Sequence, residues 1–177
     1  GARVDEVMRD IAHQLRMRGW RLAGFIQVNA LRGPGARCDM TLQELSSGRL
    51  LAISENRGRE ARGCMLDVAE LERGATLAGA ALAHRPDNLP DLLIVNKFGK
   101  TEAAGRGFRS VMVEAIACGV PVLTAVPAAN LDAWQAFAGE YAHTFHLSDL
   151  PRDVAALCER LGFGQPTDAN ACKAWAS

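Results

Sequence analysis

Two short, uninterrupted apolar runs limit the folds open to this chain more than any other feature. Residues 92–95 (Leu-Leu-Ile-Val) and 120–126 contain no charged side chain and are too short to form amphipathic helices. Such runs are typical of strands that are covered on both faces, as in parallel sheets. Met112, Val113 and Ile116 lie between the two runs at helical spacing. Strand, helix and strand in this order predict a three-layer α/β fold, with a mostly parallel sheet and helices on both faces.

The rest of the chain fits the same alternation. Helical spacing predicts a helix through residues 4–15, followed by a buried strand at 22–28. Ser46-Ser47-Gly48 separates two short segments, 38–45 and 50–54, which predicts a small β-hairpin insertion around residues 38–68. Further predicted elements are a strand-like segment at 64–68, an Ala-rich helix ending near residue 85, a helix at 134–137, a strand at 141–147 and a helix at 151–161. We expect one α/β domain over residues 1–161 and an irregular tail at 162–177.

Length and composition exclude several classes of protein. With 177 residues, 49% of them hydrophobic and 23% charged, the chain has the size and composition of one globular domain. The 20 basic and 20 acidic residues cancel, which argues against a nucleic-acid-binding protein driven by bulk charge. The most apolar stretch, residues 111–131, is interrupted by Glu114, Pro121 and Pro127, so no membrane span is expected.

The cysteine pattern indicates the compartment. Five cysteines without C-x-x-C spacing argue against a disulfide scaffold and against a zinc knuckle. No secretory signal opens the sequence. We therefore predict a cytoplasmic protein with reduced thiols.

The predicted topology indicates where a ligand would bind. In open parallel sheets the ligand site lies beyond the carboxyl ends of the strands. Residues 29–37, 96–109 and 127–130 each follow a predicted strand and should meet at this edge. The chain opens on a helix, whereas this architecture usually opens with a strand and a phosphate-binding loop. Two interpretations stay open: a first strand precedes Gly1, or the fold begins differently.

The segment that follows residues 92–95 contains two incomplete nucleotide-binding motifs. The Gly-Lys-Thr sequence at 99–101 matches the end of a Walker A loop, but Ile94 stands where that loop needs a glycine. Asn96 and Lys97 match the start of the guanine-reading Asn-Lys-x-Asp motif, but Gly99 stands where the aspartate should be. Neither motif is complete, so neither carries a function by itself.

What remains in this segment is a group of cations at a strand end and a helix start. Such a place attracts anions through free N–H groups and the helix dipole. Glu102 is the only carboxylate expected near the two lysines. A solvated basic loop is the alternative interpretation. The candidate anion-binding residues are Asn96, Lys97, Lys100, Arg106 and Arg109.

Two loops rich in arginine and glycine supply further candidates. They place six arginines within 31 residues: Arg32, Arg37, Arg49, Arg57, Arg59 and Arg62. Guanidinium groups bind oxyanions through two parallel hydrogen bonds, so Arg37 and Arg62 are candidate ligand-binding residues. The alternative is an exposed surface of mixed charge, because four acidic residues lie among the arginines.

Two cysteines occur in similar surroundings. Cys38 and Cys64 each follow an arginine- and glycine-containing loop and begin a strand-like segment. If these strands are neighbours, the two thiols form a redox pair or bind a soft metal. The alternative is that both are small buried apolar residues. Cys118 and Cys158 lie in helical patterns and are expected in the core. His143 and His146 would lie on opposite faces of a strand, so structural roles are expected for both.

Four stretches of sequence, in this order, resemble a known family. They are Cys38-Asp39-Met40, Gly63-Cys64-Met65-Leu66-Asp67, the run Leu-Leu-Ile-Val-Asn-Lys-Phe-Gly-Lys at 92–100, and Gly105-Arg106-Gly107-Phe108-Arg109. Over about residues 1–161 the chain resembles the bacterial domain-of-unknown-function family 2478. Members of this family often lie beside molybdenum-uptake genes and are described as nucleoside-triphosphatase-like. The resemblance implies a P-loop-NTPase-like fold and a link to molybdenum uptake.

The same resemblance indicates how the chain departs from a working triphosphatase. In those enzymes the strand that corresponds to residues 92–95 ends in an acidic pair, which holds the Mg²⁺ shell and the attacking water. Asn96 and Lys97 occupy these positions here, and a lysine ammonium repels Mg²⁺. We therefore expect degenerate hydrolytic machinery.

These observations together predict a cytoplasmic, P-loop-like binding protein for an oxyanion or a nucleotide, linked to molybdate handling. Molybdate, tungstate or a nucleotide is the expected ligand, and a homo-oligomer or proteins of a molybdenum pathway are the expected partners. Two alternatives stay open. One is a nucleoside triphosphatase with an atypical cationic site, and the other is a thiol-based metal or sulfur carrier that uses Cys38 and Cys64.

Overall fold

The computed structural model describes residues 2–28, 40–55, 65–83 and 88–163. The strands in these ranges are β1 (Leu22–Gln27), β2 (Thr41–Glu44), β3 (Leu50–Ala52), β4 (Ser54–Glu55), β5 (Met65–Leu66), β6 (Leu92–Val95) and β7 (Val122–Thr124). The α helices are α1 (Ala2–Met17), α2 (Val68–Leu82), α3 (Lys100–Ala103), α4 (Arg109–Ala117), α5 (Leu131–Ala138) and α6 (Val154–Arg160). None of these helices has the length and apolar character that crossing a bilayer requires.

The main sheet has five strands in the order β3-β2-β1-β6-β7. β1, β6 and β7 are parallel neighbours, with Phe25 opposite Val95 and Val95 opposite Thr124. β2 is antiparallel to both β1 and β3, so four of the five strands run in one direction. The predicted α/β fold with a mostly parallel sheet is therefore confirmed.

Successive residues of the central strands alternate between two apolar cores. One core lies against α2 and α4 and contains Ala23, Phe25, Leu93 and Val95. The other lies against α1 and α6 and contains Leu22, Ile26, Leu92 and Ile94. All four residues of β6 are at most 1% exposed. Helices on both faces explain why β6 is a continuous apolar run and not an alternating one.

Gly24 allows β1 to approach β6 closely. Its φ is +93°, a backbone conformation that side-chain-bearing residues rarely adopt. A Cβ at this position would also collide with the carbonyl oxygen of Ile94 in the neighbouring strand. The interior of the sheet therefore requires glycine here.

Two predictions about the β segments need correction. The hairpin of β2 and β3 extends the main sheet, because Leu42 and Leu51 pack into its core, while β4 and β5 form a separate two-stranded sheet. The strand predicted at 141–147 is wrong, since 3₁₀ turns at 139–141 and 147–149 flank a stretch without regular structure. In this stretch Phe145 packs under the Arg160 guanidinium, 4.8 Å from the ring centroid, instead of joining the sheet.

One prediction about the cysteines also needs correction. Cys118 is exposed and is not a core residue. It is the C-cap of α4, so the helix ends before it can carry this side chain into the core. Cys158 is buried as expected, and burial raises the pKa of its thiol. Cys38 and Cys64 lie outside the described residues.

Candidate functional site

The carboxyl ends of β1, β6 and β7 meet at one edge of the sheet, the carboxyl edge. The backbone N–H of Gln27 donates to Oδ1 of Asn96, 3.1 Å away. The N–H of Phe98 donates to the Ala125 carbonyl at 2.9 Å, and Asn130 Nδ2 donates to the Phe98 carbonyl at 3.0 Å. Residues 96–109 and 127–130 therefore converge as predicted, whereas 29–37 lie outside the described residues.

Asn96 and Lys97 meet at a buried carboxylate that sequence analysis missed. Asp5, on the first turn of α1, is 3% exposed. Its Oδ1 accepts from Asn96 Nδ2 and lies 2.8 Å from both that atom and Lys97 Nζ. Lys97 Nζ also donates to Gln27 Oε1 at 3.3 Å. The expectation that Glu102 is the only carboxylate near the lysines is therefore wrong.

A sequence signal for Asp5 did exist. The first turn of a helix that precedes a strand of a parallel sheet lies at the carboxyl edge. An acidic residue in that turn can therefore reach the side chains that follow the strands. Asp5 is such a residue, but its partners are 91 and 92 positions away in the chain, so spacing alone did not connect them.

The Glu102 carboxylate binds the backbone of the loop between β6 and α4 and does not pair with the lysines. Glu102 is 3% exposed, and its two carboxylate oxygens accept from the backbone N–H of Gly99 at 2.9 Å and of Phe108 at 3.2 Å. The N–H of Gly107 donates to Glu72 Oε1 at 2.7 Å. The N–H groups expected to attract an anion are thus already occupied by carboxylates at these three positions. These three N–H groups are therefore not available to a ligand.

Burial raises the pKa of the Glu102 carboxyl above its ordinary value of 4.5. The hydrogen bonds from the Phe108 and Gly99 backbone oppose this shift, and the nearby Glu72 carboxylate adds to it. The absence of a side chain at Gly107 leaves room for the Glu102 carboxylate. Gly107 has a φ of +62°, and a Cβ there would collide with Glu102 Oε1.

The remaining predicted cations are arranged along the same loop. Lys100 and Arg106 are exposed. Arg109 is partly buried; its Nη1 donates to the Glu102 carbonyl at 3.4 Å, and its guanidinium lies 4.4 Å from the ring centroid of Phe137. The structure therefore brings Asn96 and Lys97 together at Asp5, while Arg109 turns toward α5. Arg37 and Arg62 lie outside the described residues.

An aromatic cluster under Arg109 was also missed by sequence analysis. Phe98 is fully buried and stacks on Phe137, with ring centroids 5.6 Å apart and an interplanar angle of 20°. Trp134 meets Phe98 edge to face at 5.1 Å. The spacing of Trp134 and Phe137 on one helix face, together with an aromatic residue just after β6, is the signal that could have indicated this cluster.

The described residues contain no cluster of metal-ligating side chains. Within 2–28, 40–55, 65–83 and 88–163, no three His, Cys, Asp or Glu side chains converge on one point. His143 and His146 are exposed and lie outside any strand, so the geometry assumed for them does not apply.

Comparisons with known proteins give two similarities. The model of a family described as "Protein of unknown function (DUF2478)" matches residues 1–151. A curated relative, the Molybdenum import ATP-binding protein ModC 2 of Bradyrhizobium diazoefficiens, is 37% identical over 157 residues. This alignment covers 89% of the chain but 16% of the relative, so the chain spans about a sixth of that protein's length. No solved structure is significantly similar to the chain.

Proposed function

The chain belongs to the DUF2478 family, and from this membership we propose that it binds an oxyanion or a nucleotide as part of molybdenum handling. The link to molybdenum rests on the similarity to a protein named for molybdenum import and ATP binding. The α/β sheet with helices on both faces supports a P-loop-NTPase-like architecture. Molybdate, tungstate and a nucleotide are the ligand classes, and proteins of a molybdenum pathway are the proposed partners.

One observation supports anion binding at the carboxyl edge above the others. Residues 96–109 contain four cationic side chains and one carboxylate, and that carboxylate, Glu102, is occupied by backbone N–H groups. Among the described residues, Lys100, Arg106 and Arg109 form no ion pair. The loop therefore keeps a net positive charge, and Arg37 and Arg62 are proposed to add to it.

Lys97 is suited to hold one oxygen of such a ligand in a fixed place. An ammonium has three N–H donors, and Asp5 and Gln27 accept from two of them. The Lys97 side chain is 29% exposed, so the third donor can reach a bound anion. A side chain that is already held loses little rotamer freedom when the ligand binds.

The same residues argue against efficient hydrolysis. Where metal-holding acids are expected after β6, the chain has an amide and an ammonium. Asp5 is the acid that does reach this point, and it is paired with Lys97 and hydrogen-bonded by Asn96. We therefore propose a binding role over the alternative of a triphosphatase with an atypical cationic site.

Isothermal titration with molybdate, tungstate, ATP and GTP tests this function. We expect Lys97→Ala and Lys100→Ala to weaken binding by about ten- to a hundredfold each, since a charged hydrogen bond contributes roughly 1.5–3 kcal/mol. Arg21→Ala is the matched control, because Arg21 is a cation before the start of β1, at the opposite edge of the sheet. Equal affinities in the wild type and both lysine variants would end the proposal.

A further inference from the structure

Arg109 forms the outer layer of a stack that begins in the core. Phe98 is fully buried, Phe137 stacks on it, and the Arg109 guanidinium lies over Phe137 at 4.4 Å from the ring centroid. A guanidinium over an aromatic face is held by the attraction between the cation and the ring electrons. The two rings therefore give the guanidinium a fixed platform.

The contacts of Arg109 fix its position without covering it. One N–H, on Nη1, donates to the Glu102 carbonyl at 3.4 Å. Arg109 is partly exposed, and among the described residues no carboxylate pairs with it and no second ring lies over it. Part of this planar cation is therefore accessible, and we take it as the surface that a flat, electron-rich ligand group would contact.

The neighbouring cations lie in the same compact turn. The N–H of Arg106 donates to the Thr101 carbonyl at 3.0 Å, and the N–H of Arg109 donates to the Arg106 carbonyl at 3.4 Å. These bonds fold residues 100–109 back on themselves, so Lys100, Arg106 and Arg109 project from one loop. The stacking surface and the proposed phosphate-binding cations therefore belong to one short stretch of chain, residues 100–109.

Building on the proposed function, we infer that the ligand is a nucleotide whose base stacks on the Arg109 guanidinium and whose phosphates contact Lys100 and Arg106. A tetrahedral oxyanion such as molybdate can pair with the positive charge of Arg109, but it has no flat face with which to stack on the guanidinium plane. A nucleobase does, because every base presents a π face to a planar cation. Arg109 then determines specificity for a nucleotide over a bare oxyanion.

The test compares ATP with inorganic tripolyphosphate, which carries the charge without the base. Isothermal titration is run on the wild type, on Arg109→Lys and on Phe137→Leu. Arg109→Lys keeps the positive charge but loses the planar guanidinium, and Phe137→Leu removes the aromatic ring under it. Arg21→Lys is the matched control, since Arg21 is an exposed cation before the start of β1, at the opposite edge of the sheet.

We expect the wild type to bind ATP more tightly than tripolyphosphate. Arg109→Lys and Phe137→Leu should each weaken ATP by about five- to a hundredfold, the range for loss of one base stack, and leave tripolyphosphate unchanged. Equal wild-type affinities for the two ligands, or equal losses for both in Arg109→Lys, would overturn the inference. Binding of molybdate without ATP would overturn it and leave the proposed function intact. Binding of none of these ligands would overturn both.

Discussion

Asp5 and Glu102 are the two buried carboxylates that set the charge remaining at the carboxyl edge. Asp5 compensates Lys97 and is hydrogen-bonded by Asn96. Glu102 accepts two backbone N–H groups and, among the described residues, forms no ion pair with the cations of its own loop. Because both acids are committed to the protein, the positive charge of Lys100, Arg106 and Arg109 is available to a ligand.

Glu102 also makes a testable contribution to stability. Burial raises its pKa above 4.5 in the folded state, so the folded protein binds this proton more tightly than the unfolded chain does. The favourable contribution of the protonated Glu102 carboxyl to the free energy of unfolding is therefore fully present below pH 4.5. It is lost as the pH rises through the folded-state pKa. Glu102→Gln removes this dependence. We expect the free energy of unfolding of the wild type, minus that of the variant, to fall from about pH 4.5 to about pH 7.

Urea denaturation at several pH values across this window measures the difference. Glu140→Gln changes an exposed carboxyl and is the matched control. A difference between wild type and Glu102→Gln that grows with pH would contradict the account.

Sequence patterns located the residues of the site that follow a strand, and missed those that reach it from elsewhere. Asn96 and Lys97 directly follow β6, as predicted, because the apolar run before them ends at Val95, while their role in ligand binding stays a prediction. Asp5 and Phe137 were missed because their partners are contacted through the fold and not through the local chain. The expectation of free N–H groups is wrong at Gly99, Gly107 and Phe108, which donate to carboxylates. Glu102 lies three residues after Gly99, which is the spacing of a capping carboxylate.

At the scale of elements, burial on both faces decided which predictions were right. β6 matched its predicted range because helices cover it on both sides. In the segment at 141–147, three of the four alternate positions (141, 143, 145 and 147) are aromatic or apolar, but Tyr141 is 83% exposed and Phe145 packs against α6. Alternation indicates a strand only where a neighbouring strand can pair with it, and that information is not local.

Gly24 tests the close packing of β1 on β6. Gly24→Ala should lower the free energy of unfolding by about 2–5 kcal/mol, because it combines a strained φ with a collision at the Ile94 carbonyl. Gly48→Ala is the matched control. It has a φ of +76°, but its nearest atom, Gln43 Nε2, is 4.0 Å from the added Cβ. Chemical denaturation should show a loss of only about 1 kcal/mol for the control, and equal losses in the two variants would contradict this packing.

At the scale of the molecule, the proposed nucleotide binding does not imply nucleotide hydrolysis. The fold brings cations to the carboxyl edge, but β6 is followed by Asn96 and Lys97 in the place of metal-holding acids. We expect Mg²⁺-dependent ATP hydrolysis to be far slower than the roughly 1–100 s⁻¹ typical of kinases. Steady phosphate release is the measurement, with chelation of Mg²⁺ as the control. Release within that range, abolished by the chelator, would mean that the site is catalytic.

The most direct test of the central claim is to locate the bound anion by NMR. In ¹⁵N-labelled protein, titration with ATP or molybdate should shift the backbone amide signals of Gln27 and of residues 97–109, which surround the proposed site. The amides of Arg21 and Asp91, at the opposite edge of the sheet, should not move. Shifts confined to that opposite edge, or to the groove lined by Arg3, Val7 and Leu150 between α1 and α6, would contradict the account.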